Sequence, residues 1–259
     1  MPHQGERTYQ ALRLTPHNEQ AVDDALVIEH PLRIVINGEP LTVTMQTPGH
    51  EKELVRGLLH SEDIWRQSHS APEMTVVRNE SHPIDEIHVK LPAEQLGAGY
   101  VNSRQLLSVA SCGICGRTEF TPRTGQLAAS GRPLTSSILK KAFKNFNEHQ
   151  VLFHATGGCH GAAAIAHDGA LLSIMEDIGR HNAVDKVIGD LINRSLLSGA
   201  KCMLVSGRIS YELVAKCFMA GIPTIAAVSA PSTLAIDFAK ELGVSVIAFC
   251  RDDRMTVYS

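Results

Sequence analysis

Two cysteines three positions apart, Cys112 and Cys115, sit in the run Ser111-Cys-Gly-Ile-Cys-Gly-Arg117. Thiols at that spacing can share a proton, a metal ion or a sulfur atom, and Gly113 and Gly116 leave the backbone free to bend and the sulfurs accessible. Structural zinc needs two further ligands of comparable spacing. The sequence has no second CxxC or HxxxH pair, so no metal is expected, although Cys159 and His160 could in principle complete such a set. A thioredoxin-like dithiol belongs at a helix start just after a strand, whereas this pair lies in glycine-rich sequence. Ser111, Gly113, Gly116 and Arg117 supply no apolar face for a buried pair. An exposed thiolate nucleophile fits the run best, with Arg117 as a stabilising charge.

Other polar blocks must be held near such a thiol if it is to act on a ligand. Thr156-Gly157-Gly158-Cys159-His160-Gly161 combines glycines that permit close backbone approach with two chemically active side chains, though a bulge or tight turn would use glycine equally well. Arg180-His181-Asn182 and Ser206-Gly207-Arg208-Ile209-Ser210 each bring donors and an arginine to a predicted helix start. In an open α/β sheet such starts line the ligand crevice, and their free N–H groups and dipole favour anions, so a phosphate-bearing ligand is expected there. Asp185 and Lys186 read equally well as part of a solvated helix face.

The elements that must position these groups follow from periodicity. Beyond a polar arm to Asp24, Ala25–Ile28 and Leu32–Ile36 read as strands, and Asn37-Gly38 is a hairpin turn leading into Leu41–Met45. Thr47 and Pro48 suit the cap and first turn of a helix running to about His60, and Met74–Val77 and Glu86–Leu91 are further strands. The stretch 106–132 reads as loop and carries the thiol pair. From Thr135 a regular alternation begins. A helix presents Ile138, Leu139, Ala142, Phe143 and Phe146, a strand is expected over Val151–Ala155, and Asp168-Gly169 turns a hairpin. Then come a helix over 180–193, a buried strand Cys202–Ser206, a helix opened by Ser210, a strand Pro223–Val228, a helix capped by Ser232, and Val244–Phe249 closing the sheet. This order predicts an α/β protein: a smaller α+β N-terminal domain over 1–134, and a three-layer α/β/α domain over 135–259.

That C-terminal order matches the cytidine-deaminase architecture, but deamination itself is excluded. The glutamate proton shuttle and the Pro-Cys-x-x-Cys of that chemistry are replaced by His181-Asn182-Ala183 and Gly207-Arg208-Ile209-Ser210. The bulk properties narrow the classes further. The 259 residues carry 44% hydrophobic and 20% charged side chains and a net charge of −3, which gives no electrostatic reason to expect nucleic acid or a membrane as partner. No apolar stretch reads as a signal peptide or membrane span, so the expected location is the cytoplasm. Cys202 and Cys217 fall in apolar runs, as expected of small core residues in a reducing compartment.

Taken together, Ser111–Gly116, Thr156–His160, Glu176–Lys186, Ser206–Glu212, Gly221-Ile-Pro223 with Ser229–Ser232, and Phe249–Arg254 resemble the FdhD family of sulfurtransferases required for formate dehydrogenase activity. The resemblance implies that a cysteine desulfurase hands sulfur to Cys112 as a persulfide, with Cys115 assisting. It further implies delivery to the molybdenum of a bis(molybdopterin guanine dinucleotide) cofactor bound as substrate, for which GDP would be a surrogate ligand. The expected cofactor-binding residues are Phe249, Cys250, Arg251, Asp252, Asp253, Arg254, Gly157, Gly158, His160, Arg180, His181, Asn182, Ser206, Gly207, Arg208 and Ser229. Expected partners are the desulfurase and the apo-form of formate dehydrogenase, and a homodimer is allowed. The alternative reading is a non-catalytic chaperone that binds the molybdenum cofactor and docks on the dehydrogenase.

Overall fold

The computed structural model describes residues 5–67, 70–78, 84–103, 123–127, 134–251 and 254–258. The polar arm is not irregular. It forms a two-stranded antiparallel ribbon, β1 (Glu6–Thr15) and β2 (Asn18–Val27), closed by a turn at Pro16-His17. Next come β3 (His30–Ile36) and β4 (Glu39–Gln46), joined by Asn37 and Gly38, whose φ values of 51° and 87° fit the tight hairpin turn expected of that dipeptide.

Helix α1 (Glu51–Ser61) starts later than Thr47 and Pro48 suggest, with His50 at its N-cap. Thr47 cannot cap it, because its hydroxyl accepts from Ile178 N–H (3.0 Å) and its own N–H donates to Asp177 Oδ2 (3.0 Å). Strands β5 (Glu73–Val77) and β6 (Asp85–Lys90) complete a sheet of order β4-β3-β6-β5, followed by the short α2 (Ala98–Ser103). Its core joins Leu32, Ile34 and Ile36 with Leu54, Leu59, Trp65 and Ile87.

Helix α3 (Ser136–Glu148) is capped by Thr135, whose Oγ1 accepts from Ile138 N–H. It buries Leu139, Ala142, Phe143 and Phe146, as its periodicity predicts. The expected strand at Val151–Ala155 is instead a helix, α4 (Val151–Thr156). An apolar run this short has no decisive period. The decision is made by Glu176, whose carboxylate accepts from Leu152 N–H and Phe153 N–H (2.8 Å each) and so caps the helix start, while Gly157 at φ 65° ends it.

The second sheet contains β7 (His160–Ile165) and β8 (Leu171–Asp177), then α5 (Arg180–Asn193), β9 (Cys202–Val205), α6 (Tyr211–Met219), β10 (Thr224–Ala227), α7 (Thr233–Leu242), β11 (Ser245–Arg251) and β12 (Arg254–Val257). Its order is β12-β11-β10-β9-β7-β8, with β9, β10 and β11 parallel and the other neighbours antiparallel. Because β9, β10 and β11 step in one direction, right-handed crossovers put α6 and α7 on the same face, where α5 joins them. Helix α3 covers the other face and packs on Ala163, Cys202, Leu204, Ala226 and Ile247. The sheet does not close at Val244–Phe249: the chain turns back as β12, which forms the edge.

The two sheets are joined through α1 and α5. A Cβ on Gly57 would strike the Asp185 carbonyl, and one on Gly189 would strike that of Glu53, so the helices cross in near backbone contact. Buried ion pairs flank this crossing. Lys186 Nζ lies 2.7 Å from Asp177 Oδ2 and donates to Thr47 O, while Lys216 Nζ donates to both Asp185 oxygens (2.9 and 2.8 Å). Asp185 and Lys186 are therefore buried structural groups and not a solvated helix face.

Candidate functional site

The sheet topology itself gathers the polar blocks. Strands β9, β10 and β11 end at one edge of the sheet. Strand β7 runs antiparallel to β9, so its first residues, His160 and Gly161, lie at that same edge. Strand β8 reverses once more, which brings its end and the start of α5 there too. Residues 157–161, 176–182, 206–212, 228–232 and 249–251, far apart in sequence, thus meet at one end of the molecule. This is where an open α/β sheet has its crevice.

Each block is fixed by specific bonds. Gly161 N–H donates to Ser206 Oγ (2.9 Å) and Ser206 N–H to Gly161 O (3.0 Å), so the β7–β9 pairing extends into the site. The His160 ring lies beside Gly207, where a Cβ would come within 3.2 Å of Nδ1. Burial, Arg180 and His181 all lower the pKa of His160. The loops after β9 and β10 brace each other: Ile209 N–H donates to Ala230 O and Ser232 N–H to Ile209 O. Phe249 adopts φ 56°, at a break in the β11–β12 register, and its N–H donates to Ser229 O (3.2 Å).

The start of α5 brings Arg180 and His181 to the site. Arg180 Nε is buried without a hydrogen-bond partner among the described residues. His181 Nε2 lies 3.4 Å from Ser210 Oγ and 3.6 Å from Glu212 Oε2. Burial opposes the Glu212 charge, but hydrogen bonds from His181 and Ser210 outweigh it and bring this carboxyl down to about 2. Arg208 is exposed at the rim. On the α3 face a cavity of about 440 Å³ is lined by Phe146, Gln150, Phe153, Cys159, His160 and Ser206 among others.

Several of the expected binding residues make contacts within the fold. Asn182 is buried: its Nδ2 donates to Met45 O (2.7 Å) and Asp177 Oδ1 (3.0 Å), and its Oδ1 accepts from Thr44 Oγ1, so it ties α5 to β4. Cys250 points into the core beneath α3, and burial pushes its thiol up to about 11. Gly158 lies beneath Val27, at the root of the ribbon. Arg251 and Arg254 are exposed at the end of β11 and the start of β12, and Asp252 and Asp253 lie outside the described residues. Cys112 and Cys115 also lie outside them, as does most of the predicted loop 106–132. Downstream of the thiol run, the chain is anchored near the crevice at Arg123. Its N–H donates to the hydroxyl of Tyr211, the first residue of α6, and its guanidinium donates to Ser61 O (3.3 Å).

Cys159 is buried and its Sγ donates to Glu176 Oε1 (3.4 Å). Burial first, and then Glu176, raise this thiol to about 12, so it stays protonated. Among the described residues, no cluster of histidine, cysteine and carboxylate side chains is arranged to hold a metal ion. Reading the sequence missed Glu212 as the partner of His181, Glu176 as the α4 cap and Phe146 and Phe153 as cavity walls. Only the Glu212 position, on the same helix start as Ser210, carried a local hint.

Fold and site together define an α/β protein with a polar, arginine- and histidine-bearing crevice at one sheet edge, bordered by the anchor of a cysteine-bearing segment. The FdhD/NarQ family model matches residues 27–259, and the chain belongs to that family. It is 40% identical over 260 residues to the sulfur carrier protein FdhD of Nocardia farcinica, covering 96% of this chain and 91% of that one. It is also 40% identical over 248 residues to the sulfur carrier protein FdhD of Mycobacterium tuberculosis, covering 91% and 90%. The fold matches the crystal structure of a protein from Desulfotalea psychrophila assigned as a formate dehydrogenase accessory protein. That match has a TM-score of 0.72 at 23% identity and covers 98% of this chain and 97% of the other.

Proposed function

We propose that this protein is a cytoplasmic sulfurtransferase that carries sulfur from a cysteine desulfurase to a molybdenum cofactor destined for formate dehydrogenase. The Cys112 thiolate attacks the outer sulfur of the desulfurase persulfide. The sulfur–sulfur bond there breaks, the desulfurase leaves as its thiolate, and the sulfur stays on Cys112 as a persulfide. Attack of the Cys115 thiolate on Cys112 Sγ then expels the outer sulfur as hydrosulfide and leaves a disulfide, which a cellular thiol reduces before the next cycle.

In this reading, residues 1–134 carry the thiols, and residues 135–259 form a unit of cytidine-deaminase-like architecture that holds the bis(molybdopterin guanine dinucleotide) substrate. The Arg180, Arg208 and Ser206-Gly207 groups face its phosphates, and Phe249 to Arg254 form a further wall. The observation that carries the proposal is the convergence of the glycine, arginine and histidine blocks at one sheet edge, next to the Tyr211–Arg123 anchor of the thiol-bearing stretch. The family relatives named as sulfur carriers support it.

The test is sulfur transfer itself. Incubation with a cysteine desulfurase and free cysteine is expected to add one sulfur mass to the peptide containing Cys112, removable by reductant. Cys112→Ala is expected to abolish this adduct and the activation of formate dehydrogenase, while GDP is expected to raise the melting temperature of the variant and of the unaltered protein equally. Full activation by that variant would leave a cofactor-carrying chaperone as the correct reading.

A further inference from the structure

Both ends of the thiol-bearing stretch are rooted on one turn. Upstream, the chain enters α2 through Gly97 and Gly99, whose N–H groups donate to Ile64 O (2.8 Å) and Asp63 O (3.1 Å). A Cβ at Gly97 would strike the Asp63 carbonyl and one at Gly99 that of Glu62, so α2 begins in backbone contact with the turn that ends α1. Downstream, the Arg123 guanidinium donates to Ser61 O (3.3 Å) and lies 3.9 Å from Glu62 Oε2. Glu62 is itself held in place, because its Oε1 lies 3.3 Å from Lys216 Nζ, which is buried and bonded to Asp185. The stems on either side of Cys112 and Cys115 therefore rest on residues 61–64.

From Arg123 the chain crosses the helix layer as a strap. Arg123 N–H donates to the hydroxyl of Tyr211 (3.0 Å), and the Tyr211 ring packs edge-on against Phe238, with centroids 4.7 Å apart. Gly125, at φ 124°, lies against the Phe218 ring, and Leu127 N–H donates to Leu242 O (2.9 Å) at the end of α7. Because α6 and α7 follow parallel strands, the start of α6 lies at the crevice edge and the end of α7 at the opposite edge. Residues 123–127 thus span the layer, and Arg123 holds the crevice end.

We propose that Arg123 and Tyr211 are positioning residues for sulfur delivery: their clamp makes the thiol-bearing stretch depart from the crevice edge and not from the far end of α7. The inference rests on the reading of Cys112 as the sulfur carrier. Cys115 is separated from Arg123 by a tether of at most about 29 Å. Confinement within that radius corresponds to a concentration on the order of 10 mM at the crevice. Without the clamp, the next hydrogen-bonded hold is Leu127. The tether then lengthens by half, and its origin moves down the layer by about 13 Å, the length of α6. The thiols would meet the crevice roughly three- to fivefold less often. Loading loses nothing, since a desulfurase approaching from solvent meets the thiols from either origin.

The experiment uses the full chain in three forms: unaltered, Tyr211→Phe, which removes the hydroxyl and keeps the ring on Phe238, and Tyr211→Phe combined with Arg123→Ala. Loading of Cys112 by a cysteine desulfurase and free cysteine, read by peptide mass, is expected to be equal in all three, with melting temperatures within about 4 °C. Delivery, read as the rate at which preloaded protein activates apo-formate dehydrogenase, is expected to fall roughly three- to fivefold in the double variant. Arg208→Cys, at the exposed rim of the crevice, gives a readout without the dehydrogenase. In oxidised glutathione its disulfide with Cys112 or Cys115 is expected to form more slowly by the same factor when the clamp is removed. Equal delivery and cross-linking rates with and without the clamp overturn the inference. So does a loss of loading in step with delivery, which marks a general structural role. If the unaltered protein takes up no sulfur at Cys112, the sulfur-carrier reading fails instead, and the cross-linking rates still decide the clamp.

Discussion

His60 should make the protein lose stability in mild acid by an amount that the structure sets. It lies in the last turn of α1, only 6% exposed, and its Nε2–H donates to Met219 O (3.0 Å). Nδ1 is buried without a partner among the described residues, so a second proton would find no acceptor there. Burial is the main force lowering its pKa, with Arg66 and Arg56 adding to it against the Met219 carbonyl, and the value falls from 6.5 to about 4. In the unfolded chain the ring titrates near its ordinary value. Between the two values the unfolded state holds more protons, so stability is intact at neutral pH and falls as pH drops from about 6.5 towards 4. A gap of about 2.5 pH units at ~1.4 kcal/mol each gives a loss of about 3 kcal/mol. Urea unfolding at pH ~7 and pH ~4 should therefore show the wild type losing about 3 kcal/mol more than His60→Gln, which keeps an N–H donor for Met219 but cannot titrate. Equal losses in the two proteins would refute the reasoning, because other titrating groups would then account for the acid sensitivity.

Two further outcomes are expected. Lys216→Met leaves the Asp185 carboxylate buried with Ser61 as its remaining donor, and chemical denaturation should show a cost of ~3–5 kcal/mol, much of it recovered when Asp185 is also made Leu. Iodoacetamide at neutral pH should leave Cys159, Cys202, Cys217 and Cys250 unmodified in the native protein, because all are buried, with Cys159 and Cys217 pushed up to about 12 and Cys250 to about 11. Peptide mass spectrometry checks this, with modification of Cys112 and Cys115 as the contrast.

Much of the element order was legible because it is written in short-range patterns. The Asn37-Gly38 turn, the Thr135 and Ser232 caps, and the 3.6-residue face of α3 each depend on residues within a few positions. The same is true of the α/β alternation from Cys202 onward and of the apolar settings of Cys202 and Cys217. These local signals, joined to the order of the motif blocks, were enough to assign the FdhD family and to nominate the site residues. What failed was decided by partners distant in sequence. Thr47 looks like a helix cap, yet its hydroxyl and N–H are claimed by residues more than a hundred positions away. Val151–Thr156 could be strand or helix until Glu176 satisfies its free N–H groups. Which bonds the Asn182 amide makes was likewise illegible, since its partners Met45 O and Thr44 lie on β4, far away in sequence. The sequence determined which segments pair and coil and which side chains can do chemistry. Only the tertiary structure decided which of those side chains meet at the sheet edge and which are used to hold the two sheets together, since strand order and helix crossing follow from long-range packing that no local pattern records.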